Sequence, residues 1–272
     1  MADIDYEVEY NNRARVPENP VLMAGWANDA AAYRAHNPPR SIAYGGSPRN
    51  RIDLFPVDQE AGPIVVFIHG GYWQALDGSS FSHCARGLNA HGVGVAIPTY
   101  DLCPGVTVDA IIRQMRAATL ELARFGRPLV MSGHSAGGHL AACMLATHWP
   151  VVDAQLPRQL VTAAFSISGL FDLAPLLQTS INTALRLDEA SARAASPLFL
   201  TPPEGTSLDA VVGARESAEY VRQSRTIVEK WGRPGVETRF GTIADANHFT
   251  AIAPLADPNS AMVARLKQLA QA

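Results

Sequence analysis

Residues 128–146 run Pro128-Leu129-Val130-Met131-Ser132-Gly133-His134-Ser135-Ala136-Gly137-Gly138-His139-Leu140-Ala141-Ala142-Cys143-Met144-Leu145-Ala146, and this stretch decides how the chain folds. It opens as an apolar burst of strand length and closes as a string of small and helix-forming residues. Between them stands Gly133-His134-Ser135-Ala136-Gly137, a G-x-S-x-G. Strand, sharp turn and helix is the context in which that pentapeptide acts as a nucleophile elbow. The turn strains the serine backbone, so only small neighbours fit, and glycines stand on both flanks. Geometry of this kind pushes the Ser135 hydroxyl out at the carboxyl edge of a sheet and aims the next helix N-terminus at it. The pentapeptide alone says little, because glycine-rich turns with a serine arise by chance. Its flanks give it weight.

A serine hydroxyl is a poor nucleophile at neutral pH; it needs a base, an orienter for the base, and donors for the oxyanion. For the donors, Ile64-Val65-Val66-Phe67-Ile68 reads as a buried strand running into His69-Gly70-Gly71-Tyr72-Trp73. Glycines suit such a loop because a backbone N–H approaches a substrate carbonyl only where no side chain intervenes. The amides of Gly71, Tyr72 and Ala136 are the expected oxyanion donors. A plain glycine turn would explain either motif alone, but H-G-G and G-x-S-x-G, each after a strand, rarely coincide.

The base is expected late in the chain, with the acid between it and the serine. Of eight histidines only His248 lies beyond residue 148, in Asp245-Ala246-Asn247-His248-Phe249, after the expected last strand Glu237–Thr242. The other seven form no metal-ligand spacing such as H-E-x-x-H. His134 and His139 flank the elbow, where packing or local hydrogen bonding suits them. For the acid, Leu208–Gly213 looks like a strand and Glu216 stands at its mouth, before a helix from Ser217 to Trp231. Glu219 is a rival, better read as a first-turn helix charge favoured by the dipole. Asp172, after the strand Ala164–Ser168, is a second rival, and Asp245 is too local to brace the His248 ring.

Together these motifs resemble the hormone-sensitive-lipase-like branch of the α/β-hydrolases, and within it the kynurenine formamidase (arylformamidase) group. His69-Gly70-Gly71-Tyr72-Trp73 matches that group's HGGxW, and Gly133–Leu140 its elbow. Tyr100-Asp101-Leu102-Cys103-Pro104 resembles the branch's Y-R-L-x-P, with Asp101 in place of the arginine. Ser168–Leu173, Ser196-Pro197 and Arg222-Gln223-Ser224 fall where the group has similar runs. The resemblance extends from about residue 40 to the C-terminus. The elbow is common to the superfamily, whereas HGGxW is narrower. Glu216 departs from the aspartate commoner in the branch. The resemblance implies an acyl hydrolase with Ser135, Glu216 and His248 as its triad, and no cofactor or metal.

Bulk properties agree. The 272 residues suit one α/β-hydrolase domain, with a mostly parallel sheet and helices on both faces. Hydrophobic residues are 47% of the chain, ample for a core, and the net charge is −3 without a basic cluster, which points away from nucleic acid and anionic membranes. No apolar run approaches a membrane span, and Met1-Ala2-Asp3-Ile4-Asp5-Tyr6 is acidic where a signal peptide is basic. Cys84, Cys103 and Cys143 are scattered and odd in number, which suits reduced packing residues in the cytoplasm.

Strands alternate with helices: an edge strand Arg51–Pro56, helix Ser80–Ala90, strand Val93–Thr99 and helix Val108–Phe125. Two segments break the alternation. Residues 1–40, proline-rich around a helical Trp26–Arg34, look like an arm packed on the surface or over the site. Residues 173–206 are too long for one crossover and contain Pro175, Pro197, Pro202 and Pro203, so a small helical lid is expected there. Such a lid would favour small or medium substrates. Tyr72, Trp73, His134 and Phe249 are the expected substrate-binding residues, with core packing the rival account of Trp73. The expected partners are a small-molecule substrate and, as an alternative to a monomer, a second copy of the chain. Three functions compete: aryl-formamide hydrolysis, short-chain ester hydrolysis, and non-catalytic binding on a hydrolase scaffold. The last usually loses a triad residue, and here candidates for all three are present.

Overall fold

Most of the apolar and alternating runs become strands, and eight strands pair into one sheet in the computed structural model, which describes residues 4–55 and 62–271. They are β1 (Arg40–Ala43), β2 (Arg51–Phe55), β3 (Ile64–Ile68), β4 (Gly94–Thr99), β5 (Leu129–His134), β6 (Val161–Ile167), β7 (Thr206–Gly213) and β8 (Val236–Ile243). Across the sheet they lie in the order β1-β2-β4-β3-β5-β6-β7-β8. β2 is antiparallel to both its neighbours, and every other pairing is parallel. This is the α/β-hydrolase fold. The carboxyl ends of β3, β5, β7 and β8 therefore open on one edge, where each motif begins.

Strand β3 shows why the sheet must be covered twice. Ile64, Val66 and Ile68 enter one hydrophobic core while Val65 and Phe67 enter the other, because successive side chains point to opposite faces. The longer helices are α1 (Asn19–His36), α2 (Val108–Ala123), α3 (Ala136–Leu145), α4 (Ala218–Trp231) and α5 (Ala261–Gln271). Ile111 and Met115 of α2, all of α3's apolar residues, and Tyr220, Ile227 and Trp231 of α4 fill the first core. Tyr33 of α1 and Val263 and Leu266 of α5 fill the second. Thr107 and Ser217 cap α2 and α4 by accepting from the amides of Ala110 and Tyr220.

Several elements differ from the sequence expectation. The helix expected over Ser80–Ala90 is a 3₁₀ helix, Gly78–Ala85, followed by a single α turn, Arg86–Asn89. The helical Trp26–Arg34 begins earlier, as α1, because Pro20 sits in its first turn, where a missing N–H costs nothing. Strand β1 and helix α5 carry little local signal; each is made by packing on a neighbour. Ser168 lies beyond β6 in the left-handed region, at φ 52°. Of the expected edge strand, Pro56 lies outside the described residues, as do Met1–Asp3 of the N-terminal arm.

The arm forms short helices Tyr6–Tyr10 and Asn12–Arg15 before α1 and folds back over the body. Tyr10 donates to Glu219 Oε2 at 2.9 Å and accepts from Gln223 Nε2 at 2.8 Å, both on α4. Residues 173–206 break into four short helices, Ala174–Gln178, Asn182–Leu185, Glu189–Ala195 and Pro197–Phe199. The Glu7 carboxylate accepts from the amide and hydroxyl of Ser180, which ties the arm to this segment.

Candidate active site

Strand β5 ends at His134 and α3 begins at Ala136, so Ser135 takes the whole turn, with φ 56° and ψ −119°. A non-glycine residue there costs on the order of 1–3 kcal/mol and persists only where its surroundings enforce it. They do: Ser135 N–H donates to Ile167 O at 2.8 Å, and Ser135 O accepts from His139 N at 3.1 Å. At Gly137 a Cβ would collide with the Ile68 carbonyl, so the helix can leave the elbow this close to β3 only with glycine.

The His69-Gly70-Gly71 loop passes beside that turn. A Cβ on Gly70 would meet the His134 carbonyl at 2.8 Å and Ser135 Cβ at 3.1 Å. Tyr72 and Trp73 are both left-handed, at φ 49° and 55°, which turns the loop sharply over the elbow. The His69 ring is buried, stacked on Tyr100 with centroids 4.2 Å apart, while the Tyr100 hydroxyl donates to His69 O at 2.9 Å. The amides of Gly71, Tyr72 and Ala136 donate to no described residue. Unspent amides in a half-buried loop beside a serine are available to a bound oxyanion.

His248 Nδ1 lies 2.6 Å from Glu216 Oε2, with both side chains buried. An ionised carboxylate only accepts, so the ring carries its proton on Nδ1 and leaves the Nε2 lone pair for a proton from outside. The other oxygen, Glu216 Oε1, accepts from Ser168 Oγ at 2.5 Å and from Gly213 N at 2.8 Å. The carboxylate is thus held from three sides. The left-handed Ser168, missed by sequence reasoning, turns its hydroxyl onto that oxygen. His248 and Ser135 line the same cavity without a direct hydrogen bond between them.

The rival acids are engaged elsewhere. Glu219 forms a bidentate pair with Arg222, both contacts at 2.7 Å, and Asp172 Oδ1 accepts from the Ala174 amide at 3.1 Å. Asp245 pairs with Arg215 at 2.8 Å. His134 lines the cavity and donates from Nε2 to the His248 carbonyl at 2.9 Å, so it also pins the loop carrying His248. Tyr72 and Phe249 line the cavity too. Trp73 does not. It is fully buried and packs edge-on against His139, which corrects the expectation that it binds substrate. The sharp turn that exposes the loop amides swings this ring into the core.

The cavity has a volume of about 400 Å³. From residues 173–206 only Ser180 and Ile181 reach it, whereas the arm and α1 supply Tyr10, Asn12, Arg13, Met23 and Trp26. Trp26 stacks on Phe249 with centroids 5.8 Å apart. Behind the wall, Tyr72 donates to Tyr10 O at 2.6 Å and lies 2.6 Å from the Tyr220 hydroxyl, which accepts from Asn12 Nδ2 at 2.9 Å. Tyr220, missed by the sequence reading, sits with its ring 4.8 Å from that of His248. The Asn11-Asn12-Arg13 run among helix formers was the one available signal, and it does not reveal what it touches. Among the described residues no group of three His, Cys, Asp or Glu could hold a metal, and no helix is long and apolar enough to cross a membrane.

Burial pushes His69 and His139 down to about 4 and holds His134 well below the ordinary histidine range. All three remain neutral in the fold, whereas in the unfolded chain each titrates near about 6.5. Below that pH the unfolded state binds protons that the folded state cannot, so stability is full above about 6.5 and is lost as pH falls toward about 4. Urea midpoints should drop clearly between neutral pH and about pH 5, and less in His139→Gln. Parallel profiles for the two proteins would show that His139 does not contribute.

Residues 65–250 match a family described as alpha/beta hydrolase fold. The chain is 30% identical to a kynurenine formamidase of Salmo salar over 228 residues, 80% of this chain and 76% of that one. It is 29% identical to the kynurenine formamidase of Danio rerio, covering 80% and 77%. A crystal structure from Silicibacter sp. tm1040, provisionally described as a thioesterase, superposes with a TM-score of 0.85 at 34% identity, covering 99% of this chain and all of that one.

Proposed function

We propose, from the premise that this chain belongs to the alpha/beta hydrolase fold family and has kynurenine formamidases among its relatives, that it hydrolyses aryl formamides through an acyl-enzyme on Ser135. The observation that carries this reading is the His248–Glu216 pair beside a strained serine ringed by unspent amides. Ser135 Oγ attacks the formyl carbon as His248 Nε2 takes its proton, and Glu216 stabilises the imidazolium. The amides of Gly71, Tyr72 and Ala136 hold the oxyanion, each worth on the order of 3 kcal/mol of barrier. His248 then returns the proton to the departing arylamine as the C–N bond breaks. Water, deprotonated by the same ring, releases formate and restores the serine.

A formyl group needs almost no acyl pocket, and the HGG loop lies close against the Ser135 Cβ. The cavity beyond, walled by Trp26, Met23, Leu76 and Phe249, suits an aromatic leaving group. Short-chain ester hydrolysis uses identical machinery with a better leaving group. Comparing kcat/KM on N-formylkynurenine, p-nitrophenyl acetate and p-nitrophenyl butyrate separates the two. Preference for the formamide supports our reading; good ester turnover with no formamide cleavage overturns it. The small cavity, about 400 Å³, also predicts that activity on p-nitrophenyl esters falls steeply from acetyl to octanoyl. Flat or rising kcat/KM with chain length would mean an open groove. Three free, buried cysteines support a cytoplasmic location.

A further inference from the structure

We infer that Arg13 forms an anion-binding subsite at the edge of this cavity and is the residue that selects a leaving group carrying a carboxylate. The inference rests on Ser135 being the nucleophile. Among the residues lining the cavity, histidines aside, Arg13 is the single side chain that carries a charge. It has no ion-pair or side-chain hydrogen-bond partner among the described residues. The acids around it are occupied: Glu7 by Ser180 and Asn11, Glu9 by Arg15 and the Glu219 amide. Glu216 lies behind His248, fully buried and bonded on both oxygens. No carboxylate therefore lines the cavity, and the charge it offers a ligand is positive.

The guanidinium is carried on backbone held from two directions. Asn19 Nδ2 donates to Arg13 O at 3.1 Å, and neighbouring Asn12 is tied to the hydroxyls of Tyr72 and Tyr220 at 3.3 and 2.9 Å. Arg13 thus stays in register with the oxyanion loop despite belonging to the arm. A planar fork of donors pairs bidentately with a carboxylate, so the subsite selects a planar anion over a neutral amide. Apolar Met23 and Trp26 line the same cavity and offer surface on which an aromatic leaving group packs. Because Arg13 is exposed, the attraction is screened and weakens with salt.

The test uses the full chain and Ser135-dependent hydrolysis of p-nitrophenyl acetate, inhibited by kynurenine or by kynurenine carboxamide. The two inhibitors differ in the carboxylate alone. Wild type should bind the carboxylate about tenfold more tightly, with the ratio shrinking as ionic strength rises. Arg13→Gln should bring the ratio near unity, and Arg13→Lys should retain part of it. The same ratio should appear in KM rather than kcat for N-formylkynurenine against its carboxamide. Equal inhibition by both compounds in wild type, or an unchanged ratio in Arg13→Gln, overturns the inference. Loss of formamide cleavage with the inhibitor ratio intact would instead sink the formamidase reading and leave the anion subsite standing.

Discussion

Replacing Ser135 with alanine is expected to lower kcat by more than three orders of magnitude, toward roughly a million-fold, while the protein stays folded. Alanine fits the turn as serine does, since the strain at φ 56° and ψ −119° is in the backbone and is held by Ile167 O and His139 N. The hydroxyl makes no hydrogen bond to His248 here, and its neighbour Tyr220 keeps Tyr72 and Asn12 as partners, so its removal strands no buried group. An unchanged melting transition with turnover gone identifies a nucleophile. More than about a thousandth of wild-type kcat would remove Ser135 from that role.

The second large effect is Glu216→Gln, expected to cost three to four orders of magnitude in kcat. Both carboxylate oxygens are in use, Oε1 accepting from Ser168 Oγ and Gly213 N, and Oε2 from His248 Nδ1. Glutamine has one carbonyl oxygen, and two donors compete to keep it at the Oε1 position. Its NH₂ then faces Nδ1, which must accept, and the ring proton moves to Nε2, where the base needs a lone pair. Asp172→Asn and Glu219→Gln should each cost less than about tenfold in kcat. Asp172 caps a turn, and Glu219 anchors Arg222 and Tyr10, so its loss should appear as stability. A larger kcat effect at either position than at Glu216 would reassign the acid.

The separation of these three carboxylates shows what could be read along the chain. Glu216 stands three residues past the end of β7, and its amide turns back onto Gly213 O at 3.1 Å. That turn, with Ala214 N and Arg215 N bonded to Ile243 O and Ala246 O, sets the longer side chain back far enough to reach the ring. The setback is local, so spacing from the strand end exposed it. Glu219 is the first-turn charge of α4 that the sequence indicates, and it is also buried against Tyr10 of the arm. A contact that spans most of the chain leaves no trace in the residues around Glu219.

What the sequence by itself determined lies in short-range sterics and periodicity. Apolar runs of strand length set the sheet, glycines mark where backbones touch, and chain order names Ser135, Glu216 and His248, because each stands at the end of its own strand. Tertiary structure decided the rest. Whether Trp73 faced substrate or core hung on left-handed backbone at Tyr72 and Trp73, which no residue type announces. Whether the arm lay on the surface or over the site hung on Asn12, Tyr72 and Tyr220 meeting across more than half the chain. The lid segment reaches the cavity only at Ser180 and Ile181, while Trp26 and Arg13 of the arm form its wall. Hydrogen bonds between distant segments have no period and no spacing, so the pocket's walls emerge only once the sheet has brought them together.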